Sequence, residues 1–199
     1  MSKSIDYYLS LRSPWAYLGS GRLEEIAARH GAAVAVKPVD YGTIFAQTGG
    51  LPLPKRAPAR QAYRLMELRR WRARLDLPLN LEPEGFAADE APAARLVIAA
   101  GESGGDPLRL AHTVLRAVWA EERRIDDPET LKAIAEESGH DSAALLALAE
   151  RPEAAAAYEA LTREALSRGV FGAPTYVYRD ELFWGQDRLD FLDQALGEG

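Results

Sequence analysis

The chain carries 199 residues, 24 Lys and Arg against 30 Asp and Glu, a net charge of −6 and no cysteine. Disulfides, thiolate metal ligands and a thiol nucleophile of its own are thereby excluded, and the acidic balance argues against nucleic acid or an anionic membrane surface as partner. With 47% hydrophobic residues the chain can bury roughly 70% of its unfolded surface, no apolar run reaches the ~18 residues of a bilayer span, and no secretory leader precedes Ile5, so a cytoplasmic protein is expected.

Ile5, Tyr7, Leu9 and Leu11 alternate with period two and predict a first strand. Ser13-Pro14 then opens a helix. The serine oxygen can cap the unpaired amides of the first turn, and proline suits the first helical position because its missing N–H leaves nothing unsatisfied. That helix runs to Arg29-His30 and stops at Gly31. Val34, Val36 and Val39 predict a second strand, parallel to the first through a right-handed crossover. From Gly49 to Arg60 the chain reads as loop, with two glycines and three prolines.

Helix-forming sequence dominates the next hundred residues. Arg60 to Leu75 is strongly basic, and Arg60, Arg64, Arg69, Arg70, Arg72 and Arg74 read mostly as a solvated face. Further helices are expected over Asp89 to Ala100, from Asp106-Pro107, from Asp127-Pro128 to Gly139, after Asp141, and over Pro152 to Arg168. Gly101 to Gly105 lacks the Lys-Ser/Thr of a phosphate loop and reads as a turn. Thr175–Tyr178 and Leu182–Trp184 predict a hairpin, and Asp187 to Leu196 a closing amphipathic helix. Strand–helix–strand, a helical block, then strand–strand–helix is one sheet interrupted by an insertion. The expected class is α/β, a thioredoxin-like domain (1–45 and 169–199) with a large all-helical insertion (46–168).

Two segments could carry chemistry. Ser13 is at least a capping residue; if its hydroxyl also faces a cleft, it stands at the positive end of a helix, where a thiolate is stabilised. That thiol would have to arrive with a ligand. Pro174 begins the third strand after Val170-Phe-Gly-Ala. A trans bond is the commoner state of such a proline. In thioredoxin-like folds, however, a cis proline faces the first helix here and frees the preceding residue, Ala173, to pair with an extended peptide. The three histidines, His30, His112 and His140, have no evident partners, and no metal site is expected.

Ser13-Pro-Trp-Ala-Tyr-Leu, Val170-Phe-Gly-Ala-Pro-Thr and Phe183-Trp-Gly-Gln-Asp-Arg-Leu-Asp, in this order, resemble the 2-hydroxychromene-2-carboxylate isomerases, relatives of kappa-class glutathione transferases. The resemblance covers essentially the whole chain. It implies glutathione as cofactor, with Ser13 as the residue that activates its sulfur and Pro14 and Trp15 lining its site. Ala173, before Pro174, would pair with its backbone, and Gln186 and Asp187 at the start of the last helix would hold its γ-glutamyl end. On sequence alone Asp187 reads equally as a helix cap. Arg60 stands where the family often has Lys and would clamp a carboxylate of substrate or glutathione. Asn80 falls near the aromatic substrate in the family, though alone it reads as an exposed loop residue. The family commonly has Asn where Gly50 follows Thr48-Gly49 here. Ala16 occupies the second place of the redox Cys-x-x-Cys motif of more distant relatives, which excludes dithiol chemistry.

The resemblance thus implies a glutathione-dependent isomerase of aromatic catabolism, a homodimer, interconverting 2-hydroxychromene-2-carboxylate and trans-o-hydroxybenzylidenepyruvate. Two alternatives stay open: a kappa-like glutathione transferase, and a binding module that catalyses nothing.

Overall fold

In the computed structural model, which describes residues 3–198, the first strand spans Ser4–Leu9 (β1). Ser13 caps the helix Pro14–His30 (α1), which ends on Gly31 at φ 59°, as expected. The second strand is Ala33–Pro38 (β2), parallel to β1 with Tyr7 opposite Val36. Val39 lies just beyond it, its N–H donating to the Leu9 carbonyl at 3.1 Å.

A short helix follows that the reading of the sequence left out, Tyr41–Thr48 (α2), capped by the Asp40 carboxylate on the Gly42 amide and closed by Gly49 at φ 77°. The expected loop after it is broken by one 3-10 turn, Leu53–Lys55. The helical block comprises Pro58–Leu75 (α3), Ala91–Glu102 (α4), Pro107–Trp119 (α5), Pro128–Glu137 (α6), Ser142–Ala149 (α7) and Pro152–Ser167 (α8). Its boundaries repeat one device. Asp106, Asp127 and Asp141 each accept from a backbone amide three residues on, and Pro58, Pro107, Pro128 and Pro152 occupy first positions where no N–H is needed.

The hairpin is Thr175–Tyr178 (β3) and Glu181–Trp184 (β4), joined by Arg179 and Asp180, both at positive φ. The last helix, Leu189–Gly197 (α9), begins two residues later than expected, because Gln186–Arg188 form a 3-10 turn. Asp187 therefore lies inside that turn and does not cap α9. The sheet order is β2-β1-β3-β4, with β3 antiparallel to β1 and β4 antiparallel to β3.

One face of the sheet carries most of the core. Tyr7 stacks on Tyr176 with ring centroids 5.2 Å apart, and the same cluster runs through Leu18 and Leu23 of α1 to Leu96 of α4 and Leu115 and Trp119 of α5. The other face holds a smaller cluster of Tyr8, Val39, Tyr41, Ile44, Val170 and Val177. Treating 46–168 as a separate inserted unit is a proposal about how the fold is organised; its first boundary lies inside α2, and the main core crosses it. No helix among the described residues is long and apolar enough to cross a membrane.

Candidate active site

Strand directions bring the chemistry-bearing segments to one end of the sheet. β1 ends there at Leu9, β3 begins there with Thr175 opposite Tyr8, and β4 ends there with Trp184 opposite Thr175. The Ser10–Ser13 turn, the Ala173-Pro174 pair and the Gly185–Asp187 turn are consequently neighbours, although about 160 residues separate the first from the others.

Ser13 is 8% exposed. Its N–H donates to the Ser10 carbonyl at 3.0 Å, and its Oγ accepts from the Ala16 amide at 3.2 Å. Pro14 has no amide proton, and the Tyr17 amide donates to the Ser13 carbonyl at 3.1 Å. The Trp15 amide and the Ser13 hydroxyl proton are therefore the donors left at this positive helix end. Pro14 is buried, and Trp15 is half-buried against the main core.

The Ala173–Pro174 bond is cis. Around it the Gly172 carbonyl accepts from Tyr41 Oη at 2.9 Å and from Thr175 Oγ1 at 2.7 Å, and the Pro174 carbonyl accepts from the Gly185 amide at 2.9 Å. Ala173 is half-buried and has no backbone partner among the described residues. A Cβ on Gly172 would lie 2.2 Å from Trp184 Nε1, so any other residue there requires that exposed ring to move. Tyr41, on the unforeseen α2, was missed as a support of this loop; Asp40 before it and Gly49 after it were the available signals.

Gln186 is 2% exposed, with Oε1 and its backbone carbonyl each accepting from Arg22 Nη1 at 3.2 Å. Its turn rests directly on α1, because a Cβ on Gly19 would meet Gln186 Cβ and Tyr176 Oη at 2.8 Å each. Asp187 is exposed and pairs with Arg188 at 3.0 Å.

Beneath the Ser10–Ser13 turn lies a carboxylate that no motif or spacing along the chain singles out. Glu90 is buried, accepts from Ser10 Oγ at 2.7 Å and approaches Arg12 Nη2 at 3.5 Å. Burial pushes its carboxyl up from the usual range, against the lowering pull of the Arg12 charge and the Ser10 hydroxyl.

The arginines of α3 part ways. Arg60 is exposed on the first turn and makes no bond to the Ser13 end among the described residues. Arg64, expected on the solvated face, is instead half-buried, its guanidinium 5.6 Å from the centroid of Phe86 and 5.7 Å from that of Trp119. Asn80 is half-buried, not an exposed loop residue, and its N–H donates to the Trp119 carbonyl at 2.7 Å. The Tyr17 hydroxyl donates to the Pro78 carbonyl at 2.8 Å, tying that loop to α1.

Two histidines do have partners. His30 Nε2 lies 2.6 Å from Asp193 Oδ1, and His112 Nδ1 lies 2.7 Å from Ser20 Oγ, with burial lowering the His112 pKa. Among the described residues no three His, Asp or Glu gather in a way that could hold a metal ion.

A parallel strand pair, an antiparallel hairpin, a cis proline beside the first helix and a helical block define a class, and sequence comparison agrees with it. The chain belongs to the DSBA-like thioredoxin domain family, whose model matches residues 4–197, and within it to the 2-hydroxychromene-2-carboxylate isomerases. It is 31% identical over 197 residues to 2-hydroxychromene-2-carboxylate isomerase of Sphingobium xenophagum, covering 98% of this chain and 99% of that protein. The solved structure of a 2-hydroxychromene-2-carboxylate isomerase superposes with a TM-score of 0.85 at 27% identity, covering 98% of this chain and 95% of the other. Human glutathione S-transferase kappa 1 is 23% identical over 211 residues, covering 100% and 92%. The chain is accordingly an enzyme of isomerase type.

Proposed function

We propose that this enzyme interconverts 2-hydroxychromene-2-carboxylate and trans-o-hydroxybenzylidenepyruvate with glutathione as cofactor, in the catabolism of aromatic compounds. Assembly as a homodimer and residence in the cytoplasm belong to the same reading. The observation that carries it is the Ser13 hydroxyl. It caps α1 through a lone pair and so keeps its proton free to donate, beside a cis proline, in a chain without a thiol.

The residues present fit glutathione. Ala173 offers unpaired backbone to an extended peptide, and the Ser13 O–H and Trp15 N–H are unpaired donors suited to a sulfur anion. The Asp187 carboxylate is exposed and suited to the γ-glutamyl ammonium. Gln186, with its side-chain oxygen already engaged by Arg22, fixes the turn that presents Asp187. Pro14 and Trp15 form the wall beside Ser13. Bound glutathione supplies a thiolate, which makes reversible addition to a conjugated alkene, and so rotation about a former double bond, available. Ser13 holds its proton toward that sulfur and the end of α1 favours the charged form. Asn80 belongs to the substrate side of the same site, and Arg60 offers two parallel N–H donors to a carboxylate of glutathione.

Incubation of enzyme, glutathione and the chromene tests this. Formation of the trans isomer at constant total glutathione supports it, whereas consumption of the thiol assigns the chain to conjugation instead. Failure of millimolar glutathione to raise the melting temperature would favour a module that binds no cofactor, because a ligand of the native state must stabilise it. Asp187→Ala is expected to raise the glutathione concentration for half-maximal rate by about tenfold; an unchanged requirement would remove Asp187 from the γ-glutamyl end.

A further inference from the structure

The geometry points to Arg64 as the anchor of a binding site for the carboxylate of an aromatic acid, which makes it the residue that selects an anionic substrate. This deepens the isomerase reading and rests on it for the identity of the natural ligand. Arg64 lies over two rings inclined at 57° with centroids 5.5 Å apart, so its guanidinium occupies the angle of a V. A guanidinium stacked on rings spends its faces on them and keeps its in-plane N–H groups for an acceptor. No such acceptor is engaged, because among the described residues Arg64 forms neither an ion pair nor a hydrogen bond. Of the other half-buried arginines, Arg12, Arg22, Arg123 and Arg168 each reach a carboxylate and Arg56 reaches the Leu51 carbonyl; Arg95 shares the lack of a partner but lies over no ring among the described residues.

The surroundings concentrate positive charge in an otherwise acidic protein. Burial, and after it the charge of the neighbouring Arg56, together pull the Arg64 pKa down to about 10, and Glu82 opposes without pairing. Arg56 is lowered in its turn, by burial first and then by the Arg60 charge. An anion entering here would relieve both the repulsion and the unmet donors. The rings say which anion. Trp119 is buried beneath the arginine, whereas Phe86 is half-buried and keeps surface for another ring. Asn80 sits against Trp119 from the loop that Tyr17 ties to α1, so the site borders the helix that Ser13 caps. A flat acid with its ring by Phe86 and its carboxylate in the plane of the guanidinium satisfies all of these groups; a bare inorganic anion satisfies only the charge.

Calorimetric titration with trans-2-hydroxycinnamate and with its neutral amide provides the test. Wild type should bind the acid about tenfold or more tightly than the amide, Arg64→Leu should abolish the difference, and the thermal shift produced by glutathione should be the same in both proteins. Equal affinity for acid and amide in the wild type, or discrimination retained by Arg64→Leu, overturns the site. Should Arg64→Leu fail to fold, Arg64→Lys decides, since it keeps the stem and charge between the rings but loses the two-pronged fork. It should weaken the acid severalfold and leave the amide unchanged, and an unchanged acid affinity overturns the proposal. Acid preference with no turnover of the chromene would sink the isomerase reading and uphold the Arg64 site; turnover without acid preference would do the reverse.

Discussion

In the proposed mechanism Ser13 performs two tasks with one oxygen. Its lone pair receives the Ala16 amide and its proton remains for a ligand, so Ser13→Ala separates them. Loss of the cap should lower stability by about 1 kcal/mol, readable in denaturant unfolding. On the proposed mechanism the isomerisation rate should fall while glutathione affinity changes little, since the hydroxyl proton would meet only the sulfur; unchanged turnover would refute that role. Glu90 beneath it offers a pH signature. Its folded pKa is raised, so the native state holds the proton more tightly than the unfolded chain does. Stability therefore falls as pH rises above the ordinary glutamate value of about 4.3. Glu90→Gln keeps an acceptor for Ser10 Oγ and removes the buried charge. Melting curves at several pH values should show the variant gaining on wild type between that value and neutrality, and parallel curves would contradict the assignment.

At the level of elements, local chemistry explains what could be read in advance. Ser13-Pro14 and Gly31 bound α1 in the sequence as in the structure, and the Asp-Pro pairs mark α5 and α6. Helix α2 escaped because it has only eight residues, too few for periodicity to speak, and is stabilised by packing of Tyr41 and Ile44 under the sheet. The environments of Arg64 and Glu90 escaped for a different reason. The rings around Arg64 come from positions 86 and 119, and Ser10 lies 80 residues from Glu90. No spacing along the chain encodes such meetings. The β3–β4 turn was legible as a turn, but its strain was not: Arg179 and Asp180 hold φ of 51° and 65°, a conformation that favours glycine or asparagine. Asp180→Gly should stabilise the protein by about 1 kcal/mol, as its ion pair to Arg168 is 97% exposed on the aspartate side and contributes little. A lower midpoint in urea would show that the pair outweighs the backbone term.

Across the whole molecule, one apolar cluster joins the strands to the inserted helices, from Ile5 and Tyr7 through Leu96 to Trp119. Neither part retains a full interior without the other. Unfolding is expected to be a single cooperative event, with tryptophan fluorescence and far-ultraviolet circular dichroism changing at the same urea concentration; two separated midpoints would mean that 46–168 is autonomous. The same continuity brings α1, which Ser13 caps, against the helical block, where Tyr17 reaches the loop bearing Asn80.

On its other side α1 meets the C-terminal turn at Gly19, where Gln186 packs against bare backbone. A methyl group there would lie 2.8 Å from Gln186 Cβ and from Tyr176 Oη, so the turn that presents Asp187 could keep its place only if one of these side chains moved. A side chain as small as alanine at position 19 would therefore be felt at the far end of the proposed cofactor, through a residue that never touches it.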